Sequence, residues 1–104
     1  MTRSYDKPWL IRWVDLLQHL NLKPIEQSAG LALAYFADAQ GKADDFTWAE
    51  FGERAGIQPN TARRMWRDSE LIALGLVIKK DRKIGNVIAM PTFTIDLNSP
   101  SLQG

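Results

Sequence analysis

Residues 47–65 constrain the fold of this chain most, because their pattern predicts a capped helix that ends in a tight turn. Thr47 and Glu50 have the spacing of a capping box, in which each side chain bonds a backbone amide at the start of a helix. Gly52 is small enough to let two helix backbones approach each other closely. Gly56 can adopt the left-handed conformation that ends many helices. We therefore predict a helix that starts at Thr47 and ends at Gly56.

A second helix is expected directly after this turn. Pro59 suits its first turn, because a proline there lacks only an amide that the helix would leave unpaired. Ile57 is apolar and is expected to fill the junction between the two helices. Ala62, Met65 and Trp66 then share a face that can pack on the first helix. The turn thus predicts a pair of crossed helices rather than one long helix.

The second helix is expected to run toward Leu74, where Gly75 would stop it. The run Asp68-Ser69-Glu70 is a place where this helix can break or bend. Residues 47–74 together form the predicted helix-turn-helix, within a helical core that spans residues 24–75.

The N-terminal part of the chain predicts two further helices. Residues 8–20 carry apolar side chains at helical spacing, namely Trp9, Trp13, Leu16, Leu17 and Leu20. Pro24 separates this segment from a helix expected over residues 24–40, which Gly41 would end. Residues 42–45 are predicted to form a short polar loop. The expected buried face of the second of these helices comprises Ile25, Ala29, Ala32, Leu33, Phe36 and Ala39.

The C-terminal part predicts a β-hairpin. Residues 76–78 are apolar and predict a strand that ends in two lysines, and residues 81–86 predict a polar turn. Residues 87–95 predict a second strand, in which Pro91 requires an edge position or a bulge. Residues 96–104 are expected to be a frayed tail. The expected fold class is mainly α with a small β-hairpin, in one domain over residues 1–104.

Polar side chains line the outer face of the helix that begins near Pro59. Asn60, Arg63, Arg64 and Arg67 are spaced i, i+3, i+4 and i+7, and Thr61 flanks them. A helix is narrow enough to enter the major groove of DNA, where arginine can bond guanine and asparagine can bond adenine. The helix N-terminus also favours phosphate. The pattern predicts a recognition helix for duplex DNA.

The charge distribution agrees with this prediction, although the whole chain has a net charge of only +1. Residues 1–57 and 84–104 are slightly acidic, whereas residues 58–83 hold seven Lys or Arg and three Asp or Glu. The positive charge is thus concentrated in the predicted recognition helix and the first half of the hairpin.

Residues 46–64, which read FTWAEFGERAGIQPNTARR, resemble a winged helix-turn-helix DNA-binding domain. The sequence LGLV at residues 74–77, followed by a basic hairpin, is typical of the same superfamily. Residues 31–38 resemble the first helix of such domains in bacterial, phage and plasmid regulatory or replication proteins. The superfamily usually has Ser or Thr as the cap of its recognition helix, and this chain has Gln58 there. The similarity covers about residues 25–95, so residues 8–20 would be an extra N-terminal helix.

The resemblance implies sequence-specific binding of double-stranded DNA without a cofactor. It implies a role in transcriptional control, or in plasmid or phage replication or partition. The major groove would receive Gln58, Asn60, Thr61, Arg63, Arg64 and Arg67. The wing, residues 76–95, would grip the DNA backbone through Lys79, Lys80, Arg82 and Lys83, which flank or occupy the hairpin tip.

Other interpretations of the same residues stay open at the sequence level. The basic face could meet an acidic protein partner, or the chain could be a nonspecific or RNA-binding accessory protein. Charged residues in a hairpin also block edge-to-edge aggregation. Trp9 and Trp13 could pack in the core or form a homodimer contact. Trp48 and Trp66 fit a core position, and His19 fits a surface position better than a metal site.

The sequence also argues against several classes of protein. It has no apolar run long enough to cross a membrane, no secretory signal pattern and no cysteine, so we expect a cytoplasmic protein. It has no nucleophile–base pattern, no glycine-rich phosphate loop and no zinc-ligand spacing. We therefore do not expect an enzyme.

Overall fold

Four helices of eight or more residues, one single-turn helix and a three-stranded antiparallel sheet make up the part of the chain that the computed structural model describes. The described residues are 7–85 and 87–97, with the backbone alone at positions 83, 84 and 87–89. Residues 98–104 of the predicted tail lie outside them. The elements are α1 Leu10–His19, α2 Pro24–Phe36, β1 Lys42–Ala43, α3 Trp48–Ala55, α4 Pro59–Arg67, α5 Glu70–Ala73, β2 Val77–Ile84 and β3 Val87–Ile95.

Helix α1 packs on α2 through its two fully buried side chains, Trp13 and Leu17. The indole nitrogen of Trp13 donates a hydrogen bond to the carbonyl oxygen of Gly30 at 3.0 Å. Trp9 is half-buried, and its indole donates to the carbonyl of Asp38 at 3.1 Å. Trp13 therefore lies in the core and has no surface that a second copy of the chain could contact.

Helix α2 ends at Phe36, four residues before the predicted end at Gln40. The cause is Asp38, whose carboxylate Oδ1 accepts hydrogen bonds from the backbone amides of Gln40 and Lys42, at 2.9 and 3.0 Å. An aspartate that bonds nearby amides in this way competes with the helix for them. Ala39, expected on the buried face, is consequently exposed.

The polar loop predicted for residues 42–45 is confirmed for Asp44 and Asp45 only, because the two residues before them form a strand. Lys42 and Ala43 form β1, which pairs with β3 so that Lys42 lies opposite Thr94 and Ala43 opposite Phe93. The sheet order is β1-β3-β2, with β3 in the centre. The predicted hairpin is confirmed, and the third strand makes the fold a mixed α/β arrangement.

Strand β2 extends to Ile84, four residues beyond the two lysines at which the sequence predicts its end. Its pairing with β3 continues to the pair of Ile84 and Val87. The polar turn predicted over residues 81–86 is therefore wrong for 81–84, which belong to the strand. Asn86, the end of that predicted turn, lies outside the described residues.

A β-bulge interrupts the pairing of β2 and β3. Lys80 lies opposite Thr92 and Arg82 opposite Ala89, so Met90 and Pro91 together face the single residue Asp81. A bulge leaves a residue unpaired, which suits a proline because it has no amide hydrogen to donate. The expectation that Pro91 needs an edge or a bulge is confirmed.

Helices α3 and α4 are joined by a tight turn, as predicted. Thr47 and Glu50 form the reciprocal capping box, and Gly56 ends α3 with φ of +77°. A Cβ atom on Gly52 would lie 2.5 Å from the carbonyl oxygen of Ile57, which is closer than real Cβ contacts allow. The crossing of the two helices therefore requires glycine at position 52.

Helix α4 ends at Arg67, so the helix predicted toward Leu74 is divided at the run 68–70. Ser69 starts α5, where its hydroxyl accepts a hydrogen bond from the backbone amide of Leu71 at 3.1 Å. The buried carboxylate of Glu26 accepts from the Ser69 hydroxyl and from the Leu71 amide, both at 2.7 Å. These bonds fix the break in the helix and tie it to α2.

Aromatic rings form the centre of the core beneath α4. Trp66 is fully buried, with its ring centroid 5.1 Å from that of Phe93 and 6.0 Å from that of Phe51. Trp48 is only half-buried and packs edge-on against both phenylalanines at 6.1 Å. The predicted core position is confirmed for Trp66 and is only partial for Trp48.

We expect Gly52→Ala to lower the free energy of unfolding by about 1–3 kcal/mol, because the added methyl group forces the α3–α4 turn apart. Urea denaturation followed by circular dichroism measures this loss. Helix propensity alone predicts that Gly52→Ala raises the free energy of unfolding, because alanine is favoured over glycine within a helix by up to about 1 kcal/mol.

Glu53→Ala is the matched control, because Glu53 is the exposed next residue of α3. Its effect should stay within about 0.5 kcal/mol. A Gly52→Ala protein as stable as the unmodified chain would contradict the close approach.

Candidate nucleic-acid interface

One face of α4 is a row of exposed polar side chains, and the opposite face is buried. Ala62 and Trp66 are fully buried and attach the helix to the core. The exposed side chains together line one shallow concavity; we call them the α4 row, and they are Asn60, Arg63, Arg64 and Arg67. The helical spacing predicted from the sequence therefore places these four residues together.

The arginines of the α4 row are not neutralised within the described part of the chain. No ion pair or side-chain hydrogen bond there involves Arg63, Arg64 or Arg67, and the described ion pairs all lie elsewhere. Three guanidinium groups on nine residues of helix therefore project a local positive charge into solvent. A surface of this kind attracts polyanions.

The start of α4 adds to this positive potential. Gln58 is exposed and holds the cap position with extended backbone, but its side chain makes no capping hydrogen bond. Pro59 occupies the first turn and has no amide hydrogen. The amides of the first turn, including those of Asn60 and Thr61, therefore have no side-chain cap, and the helix dipole is positive at this end.

The basic residues of the hairpin lie within β2 and not in its turn. Lys80 is exposed, Arg82 is half-buried, and Lys79 is half-buried with its amine 3.5 Å from the carboxylate of Asp81. Lys83 pairs through its backbone with Ile88, and its side chain lies outside what the structure describes. Of the predicted wing cations, Lys79 is partly neutralised, whereas Lys80 and Arg82 have no partner among the described residues.

A cleft lies between α4 and the hairpin, and it brings part of both predicted sets together. Its cationic lining comes from Arg63 and Arg67 of α4 and from Lys79 and Arg82 of β2. The other predicted residues whose side chains the structure describes do not line it; they are Gln58, Asn60, Thr61, Arg64 and Lys80. The basic region thus presents two surfaces, the outer α4 row and this α4–hairpin cleft.

Sequence reasoning did not identify the apolar side of the α4–hairpin cleft. Phe46 and Trp48 line it from the start of α3, and Met90 and Pro91 line it from β3. Trp48 was assigned to the core, but it is the first residue of α3, where one side of a side chain can stay open to solvent. The proline in an apolar strand was the available signal, since it required the bulge that shapes this surface.

Sequence reasoning also missed the buried carboxylate that ends α4. Glu26 is only 7% exposed and lies 43 residues before Ser69, its hydrogen-bond partner. No local pattern links two residues so far apart in the chain. Glu26 is a positioning residue in this arrangement, because it fixes the point at which α4 stops after Arg67.

Within residues 7–85 and 87–97, no three His, Asp or Glu side chains are grouped as metal ligands would be. His19 is exposed and lies 3.6 Å from the carboxylate of Asp15. In the same part of the chain, each helix is too short or too polar to cross a lipid bilayer.

Comparisons with known proteins find no match for this chain among family models, curated proteins or solved structures. The geometry and charge of the two surfaces are therefore the features that indicate a function.

We expect Glu26→Ala to lower the free energy of unfolding by roughly 1–3 kcal/mol, because it leaves the Ser69 hydroxyl and the Leu71 amide with weaker or no partners in a buried site. Hydrogen exchange should become faster at the C-terminal end of α4 than in α3. Gln27→Ala, on the same helix and without a described side-chain hydrogen bond, is the control. Equal exchange rates in the Glu26→Ala and Gln27→Ala proteins would exclude this positioning role.

Proposed function

We propose that this chain binds double-stranded DNA, with α4 in the major groove. The observation that carries the proposal is the α4 row, in which three exposed arginines without described partners lie on a helix whose other face is buried. A protein that only needs solubility gains nothing from like charges one turn apart, because they repel each other along the helix. Contact with phosphates and base edges would offset that repulsion.

The side chains of the α4 row suit this role chemically. A helix about 10–12 Å across fits the major groove of B-DNA, which is about 12 Å wide. Arginine can bond guanine through two parallel hydrogen bonds, and Asn60 can bond adenine in the same way. The open amides at the start of α4 favour a backbone phosphate. The row can thus both position the helix and read bases.

The antiparallel hairpin supports a winged helix-turn-helix assignment within this proposal. The order of two crossed helices followed by a hairpin is the order of that class, and Lys80 and Arg82 would contact the DNA backbone beside the groove. Sequence-specific binding would serve transcriptional control, or replication or partition of a plasmid or phage. The proposal requires no cofactor.

Arg64→Ala should weaken binding to a selected duplex about ten- to a hundredfold, because it removes one charged contact in the groove. A base-reading role further predicts relaxed preference at one position of a site selected from a random duplex library. Fluorescence anisotropy in about 150 mM salt measures the affinity.

Arg54→Ala is the matched control for this variant. It removes the same charge from the neighbouring helix α3, but its guanidinium lies 3.6 Å from the centre of the Tyr35 ring and not in the α4 row. Its affinity for the duplex should stay close to that of the unmodified chain. Equal losses of duplex affinity from Arg54→Ala and Arg64→Ala would show that overall charge, and not the α4 row, determines binding.

The affinity for duplex DNA should fall as salt is added. If about five phosphates are neutralised, the logarithm of the association constant plotted against the logarithm of the salt concentration should have a slope of roughly −4 to −5. Lys80→Ala should make the slope shallower by about one unit and weaken binding to all sequences alike. Single-stranded DNA and RNA of the same length are the competitors. Preference for either one, or binding only to an acidic protein, would contradict the proposal.

A further inference from the structure

We propose that the α4–hairpin cleft binds a nucleoside monophosphate, which would compete with duplex DNA for two arginines. The binding itself does not depend on the function proposed above, and only the competition does. The cleft has a volume of about 510 Å³, within the usual range of about 300–1,000 Å³ for small-molecule pockets.

One side of the cleft matches a phosphate group. Arg63 and Arg67 are one turn apart on α4, and Arg82 approaches from β2. Asp81 is the one acidic residue among the described residues of the lining, and its carboxylate lies 3.5 Å from the amine of Lys79. The three arginines are therefore left for an anion. Their planar guanidinium groups can bond phosphate oxygens in pairs, which favours a phosphate over a compact monovalent anion.

The other side of the cleft matches a base. Trp48 is half-buried and leaves part of its side chain open to the cleft, and Met90 is half-buried beside Pro91. Aromatic side chains stack on bases, and the methionine sulfur is polarizable and adapts to a ring. Cations alone would fit any polyanion, but cations facing an aromatic and apolar wall fit an anion that carries a ring.

The bulge in the hairpin contributes residues to both sides of the cleft. In a regular strand, consecutive side chains point to opposite faces. Here the consecutive pairs Asp81–Arg82 and Met90–Pro91 all line the same cleft, at the position where two residues of β3 face one of β2. A bulge re-aims side chains in this way, and bulges are enriched beside binding sites.

The two surfaces share Arg63 and Arg67, which line both the cleft and the α4 row. A bound phosphate would neutralise these two side chains and leave Arg64 as the remaining arginine of the row. The nucleotide would therefore act as an inhibitor of duplex binding. Arg64 and Asn60 do not line the cleft, which allows the two kinds of binding to be separated by mutation.

The test is a titration of the full chain with adenosine and guanosine 5′-monophosphate, followed by nuclear magnetic resonance of the indole N–H groups. The expected result is a shift of the Trp48 signal, while the signal of Trp13 in the core stays unchanged. Adenosine has the base without the phosphate, and inorganic phosphate has no base. Each should bind at least about tenfold more weakly than the nucleotide. Arg67→Ala should weaken nucleotide binding about tenfold or more, as expected for the loss of a charged hydrogen bond.

Arg64→Ala is the control that separates this inference from duplex binding. It should leave the affinity for the nucleotide unchanged while it weakens binding to the duplex. No Trp48 shift, or equal affinity for nucleotide and inorganic phosphate, would overturn the inference even if the duplex is bound. A short single-stranded oligonucleotide that shifts Trp48 at concentrations about tenfold lower than the mononucleotide would also overturn it, since the cleft would then belong to a strand-binding site.

Discussion

The close approach of Gly52 to the carbonyl of Ile57 is the constraint on which the rest of this structure depends. Because no Cβ atom fits there, α3 and α4 can cross at a short distance, and α4 is brought down onto the aromatic core. Trp66 then contacts Phe51 and Phe93, which belong to α3 and β3. The buried face of α4 is thereby fully specified, and its polar residues can only point outward.

The same core connects the sheet to this helix pair. Phe93 lies in the central strand, opposite Ala43 of β1 and Lys79 of β2, so the sheet is attached to α4 through its middle. The buried indole nitrogen of Trp66 has no hydrogen-bond partner in the described part of the chain. This costs stability, and the contacts of the Trp66 ring with Phe51 and Phe93 must offset that cost.

The sequence was sufficient for features that depend on local spacing. The capping box at Thr47, the turn at Gly56 and the outer face of α4 all follow from residues a few positions apart, and the structure has them where expected. Features that depend on contacts between residues far apart in the chain could not be predicted from the sequence. The strand β1 exists because β3 lies beside it, and the carboxylate of Glu26 meets the end of α4 only after folding. No local pattern encodes either contact.

The helical repeat explains why a single helix can serve two surfaces. Residues four apart lie on the same ridge, so Asn60 and Arg64 form one ridge of α4 and Arg63 and Arg67 form another. The second ridge also lines the cleft beside the hairpin, whereas the first does not. Charge on the second ridge is therefore available to a ligand in either place but not in both at once. Any anion held in the cleft changes the potential of the outer face, without a need for the backbone to move.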